Sequence, residues 1–223
     1  MLQAGIRNLH RVEGTSQALR ERLAGLPTAI LSDSMFRSFG TAHLIAIHSA
    51  GKLVGNAVTV RTRPGDNLII HKAFDSLEAG DVLVVDAGGS LDNAIIGELI
   101  MQMAIEKGVK GIVVDGAVRD VAAFRAAGFP CYARGVTHKG PYKDGPGEVN
   151  VPVAIDGMVV HPGDVIIGDE DGLLAIRPDD AESVLTKALT LIEKEREIMT
   201  RIRANSLDRQ WIEPLLQQRG YKV

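Results

Sequence analysis

The stretch DVLVVDAGGSLDNAIIGELIMQMAIEKGVKGIVVDGAVRD, residues 81–120, decides the fold. Two valine-rich runs, DVLVVD and GIVVDG, flank a segment in which Ile96, Ile100, Met103 and Ala104 fall on one helical face, and Gly108 supplies a stop. Strand, helix and strand within about 35 residues predict a right-handed crossover between two parallel strands. The stretch ends in Arg119 and Asp120, side by side beyond the second strand, where open α/β sheets bind their ligands.

The texture around this unit is the same from residue 44 onward. Short β-rich runs, LIAIHSAG, LVGNAVTVRT, NLIIHKA, PCYARGV, VNVPVAIDG, DVIIGDEDG and LLAIRP, are separated by glycines, so the centre of the fold reads as sheet. Pro-Gly-Asp at 64–66, Ala-Gly-Asp at 79–81 and Pro-Gly-Asp at 162–164 each predict a tight turn directly before an apolar strand, without chemistry of their own.

Helices are expected at the ends. Residues 15–25 carry Thr15 or Ser16 as cap, Leu19 and Leu23 on one face and Gly25 as stop; TAILSDSMF gives a second short helix, and VAAFRAAG at 121–128 a third. Residues 179–204 predict a long amphipathic helix with Leu185, Leu189, Ile192, Met199 and Ile202 on its apolar stripe. Trp211, Leu215 and Leu216 in the tail must dock on the body or on a neighbouring subunit. The reading is one α/β domain over 1–223: a helical N-terminal extension (1–40), a core (41–178), and a C-terminal helix and tail (179–223).

Composition narrows the function. At 45% hydrophobic and 24% charged residues with a net charge of −3, nothing calls for a nucleic-acid partner. The N-terminus lacks the apolar core of a signal peptide, and no apolar run approaches the roughly 20 residues of a membrane span. A single cysteine, Cys131, forms no intrachain disulfide and reads as a small buried hydrophobe. A cytoplasmic protein is expected.

The chemistry converges on one loop cluster. VVDAGGS, with Asp115 ending the next strand as the ribose acid, resembles a dinucleotide-binding turn only loosely, because Gly88 and Gly89 are adjacent and the next glycine is Gly97. The extra length instead lets a loop precede the helix, so that the amides of Gly97 to Ile100 face a pocket and favour an anion. Glu98 in that first turn could aim a carboxylate at water or metal. Arg119 and Asp120 reach the same end of the sheet, and one aspartate suffices for Mg²⁺, which keeps several waters. The six histidines show no zinc spacing; His71 and His138 lie near glycine-rich turns where they could line a pocket.

These residues resemble the RraA-like family, which includes class II 4-hydroxy-4-methyl-2-oxoglutarate / 4-carboxy-4-hydroxy-2-oxoadipate aldolases. The resemblance spans roughly residues 28–200 and rests on an acidic residue, twenty intervening residues, then Arg-Asp; Glu98 and Arg119-Asp120 fill that pattern, with Glu where the aldolases often carry Asp. It implies a three-layer β/β/α swivelling fold, assembled as a homotrimer or homohexamer with the active site at a subunit boundary. It also implies Asp120 as ligand of Mg²⁺ or Mn²⁺, Arg119 on the substrate's keto oxygen and the amides of Leu99 and Ile100, beside Gly97, on the pyruvyl carboxylate. An acidic residue on the C-terminal helix of a neighbouring subunit would complete the site, Glu195 by length, with Glu193 and Glu197 close by.

The activity so implied is a divalent-metal-dependent lyase that cleaves a 2-oxo acid through a pyruvate enolate, by retro-aldol reaction or oxaloacetate decarboxylation. The alternative is a regulator that binds a ribonuclease by protein contact, as the family's namesakes do. A third label such sequences carry, a methyltransferase on menaquinone precursors, sits poorly with the missing nucleotide fingerprint. Lys139, Tyr142 and Lys143 in THKGPYKDGPG, 137–147, either meet a distal carboxylate or are solvated.

Overall fold

A computed structural model of the chain describes residues 3–49 and 51–222. In chain order, helices α1 (Gln17–Ala24) and α2 (Thr28–Ser34) precede strands β1 (Ile45–Ala46) and β2 (Leu53–Thr62). Then come α3 (Leu68–Ala73), β3 (Asp81–Asp86), β4 (Ala94–Ile96), α4 (Glu98–Glu106), β5 (Gly111–Val118), α5 (Val121–Ala127) and β6 (Cys131–Val136). The remainder is β7 (Gly147–Val149), the hairpin β8 (Val153–Ile155) and β9 (Met158–Val160), the hairpin β10 (Val165–Asp169) and β11 (Gly172–Ile176), the long helix α6 (Ala181–Arg203), and α7 (Ile212–Gln218).

The predicted crossover is present. β3 and β5 pair in parallel from Val82 opposite Gly111 to Asp86 opposite Asp115, and β2 and β6 extend the parallel set on either side. The sheet runs β1-β6-β5-β3-β2-β10-β11, with β10 antiparallel to β2. Strands buried on both faces need apolar residues at nearly every position, which is why these runs are rich in valine and isoleucine instead of alternating.

The two faces carry two cores. Val58, Val60, Leu83, Val85, Ile112, Val114 and Ala133 pack against Ile70 of α3, Met101 and Ala104 of α4 and Phe124 of α5. Across the sheet, Val82, Val84, Val113 and Tyr132 meet Ile155 and Val160 of the first hairpin and Ile166 and Leu173 of the second. That second contact makes the β/β part of the expected fold. A third core joins the outer face of the second hairpin, at Val165, Ile167, Leu174 and Ile176, to Leu23 of α1, Leu31 of α2 and Leu185 of α6. The terminal helices therefore add an outer helical layer to the three-layer body. Each fully buried Leu, Ile or Val contributes about 1.5–3 kcal/mol over its exposed state, so these interfaces hold the layers together.

Several local expectations are corrected. NLIIHKA is not a strand: Leu68–Ala73 is helical, because the carboxylate of Asp66 accepts the amide of Leu68 at 2.9 Å and a short apolar run has no periodicity of its own to resist this. The turn at 64–66 thus precedes a helix, whereas those at 79–81 and 162–164 precede β3 and β10 as expected. Ile96 belongs to β4, and α4 buries Ile100, Met101 and Ala104 while Met103 is exposed. The N-terminal extension is helical only from Gln17; before it, residues 7–9 run along β7, the amide of Leu9 donating to the carbonyl of Val149 at 3.2 Å and the amide of Val149 to the carbonyl of Arg7 at 2.8 Å.

The C-terminal helix forms as predicted, yet its stripe is buried only in its first half. Leu185 is buried, whereas Leu189, Met199 and Ile202 are about half exposed. Trp211 is 63% exposed and α7 buries no residue, so the tail does not dock on the body of its own chain. Among the described residues, no helix is long and apolar enough to cross a membrane.

Candidate active site

The site forms where α4 begins beside the end of β5. β4 ends at Ile96, whose carbonyl accepts the amide of Arg119 at 2.9 Å, and the chain then turns through Gly97 into α4. A Cβ on Gly97 would overlap the carboxylate of Asp120 and lie 2.9 Å from Cγ of Arg119. Glycine is required there for approach and not for backbone conformation.

Asp120 adopts a left-handed conformation, φ 58° and ψ 40°, which aspartate tolerates better than most residues. It starts α5 through its carbonyl, which accepts the amide of Ala123 at 2.9 Å. Its side chain does not cap that helix. Instead Oδ2 accepts the amide of Glu98 at 2.9 Å, with Nε of Arg119 3.6 Å away.

That contact selects which amides stay open. The first turn of a helix leaves its leading N–H groups without intrahelical acceptors, and Asp120 takes the one from Glu98. Met101 bonds back to Gly97, so Leu99 and Ile100 are left facing a cavity of about 220 Å³. Gly97, Leu99, Ile100 and Arg119 all line it. Arg119 passes close to a second glycine, since a Cβ on Gly140 would sit 3.1 Å from its Nη1.

Other predicted residues are placed as follows. Glu98 is exposed in the first turn of α4, and Asp120, also exposed, is not among the residues lining the cavity. Glu195 is exposed on α6, which contributes nothing to the cavity wall among the described residues, so a single chain does not bring Glu195 to the site. Of the two histidines, His71 lines the cavity and His138 does not. Tyr142 is exposed, whereas Lys143 reaches the wall.

The structure adds a group that the sequence did not assemble. Nζ of Lys143 donates to Oδ1 of Asn67 at 2.9 Å and meets Nε2 of His71 at 3.0 Å, while Nδ2 of Asn67 donates to the carbonyl of Ile95 at 3.0 Å. Burial, reinforced by the charge of Lys143, lowers the pKa of His71 from its ordinary value, which suits a neutral imidazole accepting from the ammonium. The loop bearing Lys143 is pinned by Asp66, whose fully buried side chain accepts the amides of Asp144 at 2.7 Å and Gly145 at 3.1 Å. The sequence offered His71 and Lys143 singly as candidates, whereas for Asp66 and Asn67 its only signal is the Pro-Gly-Asp turn, which taken alone reads as punctuation.

Asp115, placed by sequence where a ribose acid would stand, is committed to structural partners. It accepts from Arg134 and from the amide of Asp156 at 2.8 Å, and Arg134 also pairs with Asp156 at 3.0 Å. These bonds tie the first hairpin over the sheet. Cys131 is fully buried and burial pushes its thiol pKa far up, as expected of a packing residue.

Among the described residues, no cluster of three or more His, Cys, Asp or Glu side chains is placed to hold a metal. Asp120 nevertheless fits a hard, heavily hydrated cation: its side chain is 41% exposed and only Oδ2 is engaged, which leaves Oδ1 as a donor.

Residues 28–175 match the family model described as RraA-like, Aldolase/RraA. A Thermus thermophilus protein named 4-hydroxy-4-methyl-2-oxoglutarate aldolase is 39% identical over 142 residues, covering 64% of this chain and 81% of the relative. A Halalkalibacterium halodurans protein named provisionally for the same activity is 40% identical over 164 residues, 73% of this chain and 78% of the relative. The crystal structure of Streptomyces coelicolor RraAS2, titled an unusual member of the RNase ES inhibitor RraA protein family, superposes with a TM-score of 0.76 at 26% identity over 83% of this chain and 97% of that one. With the matched model spanning the crossover, the Arg-Asp pair and both hairpins, this chain belongs to the RraA-like family.

Proposed function

We propose that the protein is a divalent-metal-dependent lyase that cleaves 2-oxo acids to give pyruvate enolate, by retro-aldol cleavage of 4-hydroxy-2-oxo diacids and by decarboxylation of oxaloacetate. The observation that carries this reading is the joint placement of Arg119 and the open amides of Leu99 and Ile100 on one small cavity, with Asp120 tied to the same helix start. The aldolase names of two relatives support it.

The residues divide the work by charge. The amides of Leu99 and Ile100 bind and orient the substrate carboxylate at the positive end of α4. Arg119 then lies where negative charge grows on the keto oxygen as the carbon–carbon bond breaks, and a fixed cation there lowers the barrier more than it tightens ground-state binding. Aldol cleavage also needs a base for the C4 hydroxyl proton, which Glu98 supplies directly or through an oriented water; decarboxylation needs none. Asp120 would hold the Mg²⁺ or Mn²⁺, which when bound supplies a second positive charge to the carboxylate and keto oxygens.

In this reading the protein acts in the cytoplasm as a homotrimer or homohexamer. The exposed apolar face of α6 packs on a neighbour, and Glu195 reaches that neighbour's site. Neither nucleic acid nor membrane is a partner.

The test is pyruvate release from oxaloacetate after EDTA treatment, with and without restored Mg²⁺ or Mn²⁺, beside Asp120→Ala and a protein-free metal control. Metal-dependent turnover above the control, lost in the variant, supports the lyase. Turnover no greater than that of free metal, together with inhibition of a ribonuclease, favours the regulator reading that the RraAS2 likeness keeps open.

A further inference from the structure

The chain before α1 lies outside the span that matches the family model, yet it is built into the sheet. β7 is only three residues long. On one side it pairs with β2, from Thr62 opposite Gly147 to Val60 opposite Val149, and on the other Asn8 bridges Val149 in parallel. Side chains add to this backbone pairing. The carboxylate of Glu148, which is 3% exposed, accepts the amide of Gly5 at 3.1 Å, the guanidinium of Arg7, and Nη1 of Arg61 at 3.3 Å. Two of those three donors belong to the N-terminal segment, and Nδ2 of Asn150 donates to the carbonyl of Leu9 at 3.1 Å just beyond β7.

What is fixed at Glu148 is felt by the elements around it. β7 starts where the loop 137–147 ends. A Cβ on Gly147 would lie 2.4 Å from Cγ2 of Ile69, so β7 is also the seat on which α3 rests. The N-terminal segment, α3 and residues 144–147 line one groove, and His71 stands on the wall of both that groove and the candidate active-site cavity. An exposed ion pair is largely cancelled by solvent and side-chain entropy, whereas a buried carboxylate deprived of a charged donor is left poorly compensated.

We infer that residues 5–9 act as a strap and that Arg7 is a positioning residue: by bonding Glu148 it fixes β7, and through β7 it fixes α3 and the end of the 137–147 loop. Arg7 is not among the residues lining the active-site cavity, so its influence on that cavity passes through these elements. The inference concerns the order of β7 and its neighbours; only the activity arm of its test rests on the lyase reading.

Amide hydrogen exchange read by mass spectrometry on the full chain needs no turnover. In Arg7→Ala, peptides covering 67–73 and 143–149 should exchange about 10-fold faster while the β3 peptide 81–86 keeps its wild-type protection, and Arg7→Lys, which retains the charge, should recover part of the loss. In steady-state kinetics on oxaloacetate, kcat/KM of Arg7→Ala should fall about 10-fold, more through KM than through kcat, with Arg7→Lys again intermediate. Exchange that quickens equally in the β3 peptide would make the pair a global stabiliser and overturn the assignment, as would 67–73 and 143–149 peptides that exchange as in wild type. If wild type releases no pyruvate from oxaloacetate or from a 4-hydroxy-2-oxo diacid, yet the local exchange pattern is seen, the lyase reading falls and the strap stands. If it releases pyruvate and the pattern is missing, the strap falls and the lyase stands.

Discussion

The carboxylate of Asp120 accepts the backbone amide of Glu98 at 2.9 Å, so the second residue of the Arg-Asp pair holds the first turn of a helix twenty-two positions earlier in the chain. One side chain thereby fixes the helix start, leaves the next two amides open and keeps its other oxygen unengaged. The separation between acidic residue and Arg-Asp pair thus has a structural reason: it spans α4 and β5.

Asp120→Asn separates these duties. Asparagine keeps an oxygen for the Glu98 amide and tolerates the left-handed conformation, but it loses the charge. Thermal unfolding should stay near wild type while metal-dependent pyruvate release falls at least about 100-fold. Asp120→Ala should lose the activity and also about 1–2 kcal/mol of stability, from the missing acceptor and the left-handed backbone.

Two glycines beside Arg119 should respond unequally. A Cβ at position 97 collides with Asp120 and with Cγ of Arg119, neither of which can retreat without moving the site, so Gly97→Ala should lower turnover about 100-fold. At position 140 the neighbour is the far end of the Arg119 guanidinium, which can shift, and Gly140→Ala should cost only a few-fold. Steady-state kinetics on oxaloacetate ranks them; equal effects would contradict the geometry.

Asp66 makes stability depend on pH. Burial by itself would raise its pKa, but the amides of Leu68, Asp144 and Gly145 with the Arg63 guanidinium bring it below its ordinary value of 3.8. A carboxyl whose folded pKa is depressed contributes stability that is present above the unfolded value and lost as pH falls through the folded one. Asp66→Asn should therefore cost about 2–3 kcal/mol at pH 7, and the gap from wild type should narrow below about pH 4. Urea unfolding at pH 7, 4 and 3 measures it; a gap that stays constant across those values would mean the charge is not what stabilises the loop.

The exposed half of α6 predicts association. Met199 and Ile202 are nearly half exposed on a helix whose first half is packed, an arrangement that soluble monomers rarely leave bare. Replacing both with glutamate should convert a trimer or hexamer to a smaller species in light scattering after size exclusion, with the far-ultraviolet circular dichroism retained. A wild type that already runs as a monomer would remove Glu195 from the proposed site.

How much of this was legible depends on the range of the interaction. DVLVVD and GIVVDG announce buried parallel strands by composition alone, and Gly108 and Gly128 end helices where the backbone must turn left-handed, because such preferences are local. Glu98 and Arg119-Asp120 could be placed at one end of the sheet because a parallel crossover returns the chain to the same edge. The same local reading takes NLIIHKA for a strand, since seven residues are too few for a period and the deciding carboxylate, Asp66, lies outside the run.

The tertiary structure alone decided the rest. Asn67, His71 and Lys143 meet across more than seventy residues, Asp66 reaches the loop at 144–145, and Asp115 is absorbed by Arg134 and Asp156. No spacing rule connects such residues, because hydrogen bonds between distant segments depend on how layers pack and not on the order of the chain. The sequence determined most of the elements and which end of the sheet carries charge. Packing decided which amides stay open, which cation is left without an anion, and which carboxylate is free.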